Sequence, residues 1–298
     1  MDRMSHGTTR SLLATLSLEH SEWRPLIALV EHTLSEMART PWTPWVPTRP
    51  ERDGDEPPLL DGATITVASG VIDRWIRHML NTASEAGTEV DPLIIAFEAQ
   101  RLDPMLFFET AVSQDVDRLD ELARAHDDDR GVIRALAPLI AMPMLQACRK
   151  AWAGGVPSDW AWGYCPICGG WPALAESRGL DGHRYLRCGA CGSGWPTDVL
   201  RCHVCGEDAD EKLGSLVSAR TLEQQRVDVC DGCQHYIKTI TTTAPIRPQD
   251  VVLHDMGTLA LDMAALERDY VRPAPACRVE LRVVAKTSRL RDLLGLRS

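Results

Sequence analysis

Apolar residues recur at intervals of three and four through the first half of the chain, and then the helical period disappears. Trp23, Leu26, Ile27, Val30, Leu34 and Met37 fall on one face of a helix over residues 23–38, with Pro25 in the first turn, where its missing N–H costs nothing. Val71, Trp75, Ile76, Met79 and Leu80 form a second stripe, and another helical segment over 92–99 starts after Asp91. Asp103 and Pro104 supply an N-cap and an N1 proline for a helix through Val112. Val116, Leu119, Leu122 and Ala123 continue the pattern, and residues 127–129 cap a long helix toward Trp152 that is expected to bend or split at Pro138 and Pro143. Residues 1–20 carry little pattern. Residues 41–59 hold six prolines and no period, which predicts an extended connector whose Trp42 and Trp45 pack onto neighbouring helices.

After a Gly-Gly-Val-Pro break at 154–157 the chain becomes rich in Gly and Cys, with short β-prone stretches at 184–187, 216–219 and 226–229. Leu259, Met263, Leu266 and Tyr270 then mark a closing helix, residues 279–284 read as a strand, and the chain finishes in a basic tail. The expectation is an α+β protein. An all-helical domain over 1–157 precedes two tandem four-cysteine modules with short β-hairpins, at 158–197 and 198–245, and a C-terminal helix and tail occupy 246–298.

The 298 residues carry a formal net charge of −10, which disfavours non-specific attraction to nucleic acid or anionic lipid. The N-terminus has no basic stretch leading into an apolar run, no Arg-Arg pair occurs, and the longest mostly apolar run, 135–148, is too short to span a bilayer. A cytoplasmic protein without direct membrane insertion is expected. In that reducing compartment paired cysteines serve metal binding or redox chemistry more often than structural disulfides.

Eight of the ten cysteines lie in four C-x-x-C pairs: Cys165 and Cys168, Cys188 and Cys191, Cys202 and Cys205, Cys230 and Cys233. Tyr164-Cys-Pro-Ile-Cys-Gly169 and Arg201-Cys-His-Val-Cys-Gly206 are similar first knuckles, each followed by a second pair after 19 and 24 residues, so the array is a small module used twice. Two cysteines separated by two residues sit on one tight turn and reach one metal, and two such turns complete a tetrahedral four-thiolate site. Gly169, Gly192 and Gly206 follow three of the pairs, where the turn needs positive φ; Gln234 takes that place after the fourth and predicts a less regular turn. Sequential grouping is the simpler arrangement, and the spacing leaves an interleaved one open. Thiolate tetrahedra suit both zinc and iron: zinc would be a structural staple, whereas iron can change oxidation state. His183, His203 and His235 read as surface groups or as supports behind the ligands, Cys148 as a core residue and Cys277 as a lone thiol. No phosphate-cradling loop, Gly-x-Ser-x-Gly elbow or His-Glu-x-x-His stands in the sequence, so no independent catalytic centre is expected.

The run Trp160-Ala-Trp-Gly-Tyr-Cys-Pro-Ile-Cys-Gly169, then Arg184-Tyr-Leu-Arg-Cys-Gly-Ala-Cys-Gly192 with Trp195, then the Cys202 knuckle, then Val229-Cys-Asp-Gly-Cys-Gln-His-Tyr-Ile-Lys238 and residues 259–268 resembles the FdhE family of formate dehydrogenase accessory proteins. The resemblance covers about 160–272. It implies a cytoplasmic, non-enzymatic maturation factor that engages the catalytic subunit of a molybdenum-dependent respiratory formate dehydrogenase before export. It also implies rubredoxin-like sites holding two metal ions, iron in preference to zinc.

Two other functions compete. A nucleic-acid-binding zinc ribbon would need a basic face, yet between Tyr164 and Ile237 acidic residues outnumber Lys and Arg by ten to seven. A dithiol oxidoreductase would need a free, exposed C-x-x-C with a low-pKa thiolate.

Overall fold

The computed structural model describes residues 3–49, 58–128, 131–157, 159–179, 182–217, 224–274 and 279–286. Asp129, Cys277, residues 50–57 of the connector, the end of the 216–219 stretch and the basic tail lie outside them. The helical half comprises α1 (Arg3–Glu19), α2 (Arg24–Arg39), α3 (Ser69–Glu85), α4 (Asp91–Glu98), α5 (Pro104–Ser113), α6 (Val116–Ala125) and α7 (Val132–Trp152). The stripes predicted for α2 and α3 exist, though α2 is rotated: it buries Leu29 and Thr33 with Ile27 and Val30 and exposes Leu26. Asp103 caps α5 through the Met105 and Leu106 amides, and Asp128 accepts from the Val132 and Ile133 amides at the start of α7.

Three expectations need correction here. Residues 3–19 form a helix, and Leu12, Leu13 and Leu16, spaced to share a face, pack it on the core. α7 runs unbroken through Pro138 and Pro143; it buries thirteen residues, and that packing outweighs the helix-breaking cost of about 3 kcal/mol per proline. The helical half also contains one strand, β1 (Thr64–Val67), an alternation in which Ile65 and Val67 are buried and the threonines exposed. It pairs in parallel with β8 (Arg282–Ala285), in the stretch predicted as a strand near the C-terminus.

The core of this half is aromatic. Trp75, Phe107 and Phe108 are fully buried, the Trp75 indole donates to the Ile140 carbonyl of α7 at 3.0 Å, and Trp42 stacks on Phe108 with ring centroids 5.9 Å apart. Trp42 therefore packs as expected of the connector, with Trp45 edge-on to it. Residues 132–155 are long and apolar enough to cross a membrane, and 67% of the most apolar 18-residue window within them is buried inside the molecule.

The cysteine-rich half is built on one six-stranded sheet with the order β4-β3-β2-β7-β6-β5. Its strands are β2 (Pro172–Arg178), β3 (His183–Cys188), β4 (Gly194–Pro196), β5 (Leu213–Leu216), β6 (Gln225–Cys230) and β7 (His235–Thr242). Each repeat contributes an antiparallel three-stranded meander or its equivalent, and the parallel β2–β7 pair fuses the repeats. Two charges are fully buried on the strands of that seam. Glu176 of β2 accepts from Thr242, the Ile246 amide, Arg178 and Arg187, while Lys238 of β7 donates to the Asp255 carbonyl at 2.7 Å and to Asp262 at 2.8 Å. Satisfied in this way, the charges fix the segments after β7 onto the sheet; removing one partner would leave an uncompensated buried charge.

Two helices close the sheet, α8 (Val251–Met256) and α9 (Leu259–Leu266). The stripe expected to bury the closing helix faces solvent instead: Leu259, Met263 and Leu266 are 43%, 53% and 48% exposed. α9 turns Leu261, Asp262 and Ala265 inward, where Leu261 and Ala265 meet Val227, Val229 and Tyr236 and Asp262 meets Lys238. The buried ammonium selects which face of α9 points in.

Candidate metal centres

The eight paired cysteines form two groups in sequence order. Cys165, Cys168, Cys188 and Cys191 make the first quartet, Cys202, Cys205, Cys230 and Cys233 the second, and in each the four sulfurs lie within 4.8 Å of one another. Local chain geometry explains the convergence. In all four turns the residue after the second cysteine is left-handed and its amide donates to the carbonyl of the first cysteine: Gly169 to Cys165 at 2.9 Å, Gly192 to Cys188 at 3.1 Å, Gly206 to Cys202 at 3.0 Å and Gln234 to Cys230 at 2.8 Å. The fourth turn is thus as regular as the others, contrary to expectation; Gln234 takes φ 58° at the roughly 1 kcal/mol cost of a side chain there. Amides inside the turns also point at sulfur, from Ile167 to Cys165, Cys191 to Cys188 and Val204 to Cys202, at 3.4–3.5 Å.

Sulfur separations discriminate between chemistries. Cys165–Cys191 and Cys168–Cys188 are 3.5 Å apart, and Cys202–Cys233 and Cys205–Cys230 are 3.7 Å apart. A disulfide needs about 2.0 Å. A tetrahedron of sulfurs about 2.3 Å from a central ion has edges of about 3.8 Å, close to the observed spacing. Both quartets are able to hold a metal ion.

Charge supports the same conclusion. Burial pushes the Cys165 and Cys191 thiols well above the usual range, and neighbouring thiols add to the effect. Cys188 is equally buried, but hydrogen bonds from the other thiols and the Cys191 amide hold it well below that range. Four such groups together in an apolar core would be balanced by a cation that takes all four as thiolates. In the second quartet burial raises Cys233, whereas at Cys205 the Glu207 amide and the surrounding thiols outweigh burial and lower it.

The quartets differ in their surroundings. Every cysteine of the first is at most 1% exposed and belongs to the same apolar core as α3, α5 and α7. Its first knuckle is held by the helical half: the Leu59 and Leu60 amides donate to Pro166 and Ile167 carbonyls, both at 2.9 Å, and the Gln114 side chain donates to the Cys168 carbonyl at 2.8 Å. Gly170 permits this approach, since a Cβ there would lie 2.6 Å from Gln114 Oε1. The second quartet has Cys205 exposed and Cys233 half-buried. Its knuckle meets the chain just before the first knuckle, where a Cβ on Gly163 would fall 1.6 Å from the His203 carbonyl oxygen.

Of the histidines, His183 is exposed on β3. His203 is half-buried with its Nε2 out of reach of solvent, and its pKa falls to about 3, because burial, Arg184 and His235 oppose its charge more than Asp228 favours it. Cys148 is buried on α7, and burial pushes its thiol up to about 12. Gln114 escaped sequence reading altogether: it follows α5 in a left-handed conformation, and only the folded chain brings it to the first knuckle.

Residues 200–277 match the family described as FdhE, C-terminal domain. That stretch is similar to the FdhE C-terminal domain. An FdhE homologue from Aquifex aeolicus is 29% identical over 119 residues, 38% of this chain and 40% of that protein, and one from Shewanella baltica is 36% identical over 101 residues, 33% and 32%. An FdhE homologue from Pseudomonas aeruginosa is 30% identical over 155 residues, 47% of this chain and 50% of that protein. The chain thus spans a third to a half of the length of these relatives. The crystal structure of the FdhE protein from Pseudomonas aeruginosa has the same fold, with a TM-score of 0.52 at 21% identity over 91% of this chain and 94% of that one. The chain combines the shared fold with two quartets that can each bind a metal.

Proposed function

We propose that the protein is an accessory factor for maturation of a molybdenum-dependent respiratory formate dehydrogenase, binding its catalytic subunit in the cytoplasm before export and turning over no substrate of its own. The observation that carries this reading is a pair of metal-competent cysteine quartets, the second of them inside the stretch, 200–277, that matches the FdhE C-terminal domain. Cys165, Cys168, Cys188 and Cys191 would hold one ion, and Cys202, Cys205, Cys230 and Cys233 the other. With iron bound, such sites supply one-electron chemistry; with zinc, they supply rigidity alone. We favour iron, on the family resemblance.

The test is co-purification, without oxygen, of the metal-loaded protein with a formate dehydrogenase catalytic subunit, alongside metal analysis. A stable complex and a ferric-thiolate absorption band that bleaches on reduction are expected. Failure of the loaded protein to retain the subunit would overturn the maturation role, and stoichiometric zinc in a colourless protein would reduce the metal's part to structure. The exposed Cys205 draws attention to the dithiol-oxidoreductase alternative, but its sulfur lies 3.7 Å from Cys230 within a complete quartet, and with a metal bound there no C-x-x-C pair would stand free for disulfide exchange.

A further inference from the structure

The two quartets are built from the same turns and differ in what lies against them. Around the first, core side chains close every approach to the sulfurs, and the backbone of its leading knuckle is tied by Leu59, Leu60 and Gln114 to the helical half. Opening that quartet means separating two parts of the molecule that share one apolar core. Around the second, Cys202 and Cys230 are buried at 8% and 2% exposure against the sheet, but Cys205 faces out and Cys233 is half-buried beside it. A groove of about 600 Å³ runs along this side, lined by Trp162, Asp198, Arg201, Val204, Cys205 and Gly206 among others. It is large enough to admit a thiol or a small chelating group to within bonding distance of the Cys205 side of the quartet.

We infer that the second quartet is an exchangeable metal site entered over Cys205, and that the first is a permanent staple between the helical half and the sheet. This rests on the metal-binding reading above and adds a division of labour to it. Exchange proceeds by ligand substitution without redox change. An incoming thiol would bond to the cation as the Cys205 sulfur gives up its own, its proton passing through solvent to the released Cys205 thiolate; Cys233 would follow, while buried Cys202 and Cys230 would leave last. Soft thiolate ligands, free or on a partner protein, are the class of acceptor or donor that fits, since they match the ligands they replace. At the first quartet the same substitution needs prior unfolding of the domain junction, so its rate is tied to the stability of the fold.

The test uses the full-length protein purified without oxygen and loaded with two equivalents of zinc, then challenged with an excess of a chromogenic chelator. Two phases of one equivalent each are expected, separated by at least about tenfold in rate, because exposed and buried sites open by different routes. Alkylation followed by mass spectrometry after the first phase should label Cys202, Cys205, Cys230 and Cys233 and leave Cys165, Cys168, Cys188 and Cys191 protected. Cys205→Ser should accelerate the first phase and leave the second unchanged; should that variant fail to fold, the labelling pattern of the unaltered protein decides. Release of both equivalents at one rate, or labelling of the first quartet before the second, would overturn this inference alone. A protein that folds yet holds no zinc in either quartet would overturn the metal-binding reading beneath it.

Discussion

The two cysteine quartets come from one repeated sequence module, yet they occupy opposite kinds of environment. The first is a dry cluster inside the junction between helices and sheet; the second sits at the outer edge, with one ligand exposed. A repeat can therefore preserve ligand geometry while its surroundings assign each copy a different stability. The turn amides and left-handed residues fix sulfur positions locally, so either copy forms the same tetrahedron. Burial is decided by what packs on it afterwards.

The largest effect should come from deleting one knuckle at a time. Cys165→Ala with Cys168→Ala removes a site whose metal would contribute on the order of 10 kcal/mol, as much as the whole stability of an ordinary domain, so the chain should fail to accumulate as a folded species. Cys202→Ala with Cys205→Ala should lose one equivalent of metal and keep cooperative unfolding of the helical half. Circular dichroism melts with metal analysis would separate the two, and equal damage from both pairs would break the comparison.

The next effect is acid sensitivity centred on the second module. The His203 pKa lies near 3 when folded, by burial first and then by Arg184 and His235 against Asp228, below the ordinary value of 6.5. The unfolded chain therefore binds a proton that the folded one refuses between those values, so stability is lost as pH falls from about 6.5 toward 3, by up to a few kcal/mol. His203→Gln should flatten that part of the stability profile in urea unfolding measured at several pH values; an unchanged slope would show that the ring is solvated.

A smaller effect is expected at the junction. Gln114→Asn keeps a residue that tolerates the left-handed backbone but is one methylene too short to reach the Cys168 carbonyl. It should cost about 1–2 kcal/mol in denaturant unfolding, with metal loss from the first quartet accelerated and the second untouched. Met263→Ser should be the smallest of all, within about 0.5 kcal/mol, because that side chain is more than half exposed. A large loss there would mean that the exposed stripe of α9 is covered in solution.

How far the chain could be read in advance follows the range of the forces involved. Local signals were legible: the α3 stripe, the Asp103 cap and the cysteine turns all depend on neighbours a few residues away. The missed features depend on distant partners. β1 exists because β8 returns from the far end of the chain to pair with it. α9 exposes its apolar stripe because Lys238, buried on β7, draws Asp262 inward. α7 stays whole across two prolines because both halves of the molecule pack on it.

The sequence by itself determined that eight cysteines would stand in paired turns, since C-x-x-C spacing and a left-handed following residue are properties of the backbone over six residues. Which turns joined into a quartet, which quartet was sealed and which left open were decided only by the tertiary structure. The parallel seam joins Leu174 of β2 to Lys238 of β7, strands that follow different knuckles, and the clasp from Leu59, Leu60 and Gln114 lies far from the cysteines in sequence. Burial is a property of everything that packs on a site, and no window of the chain contains it.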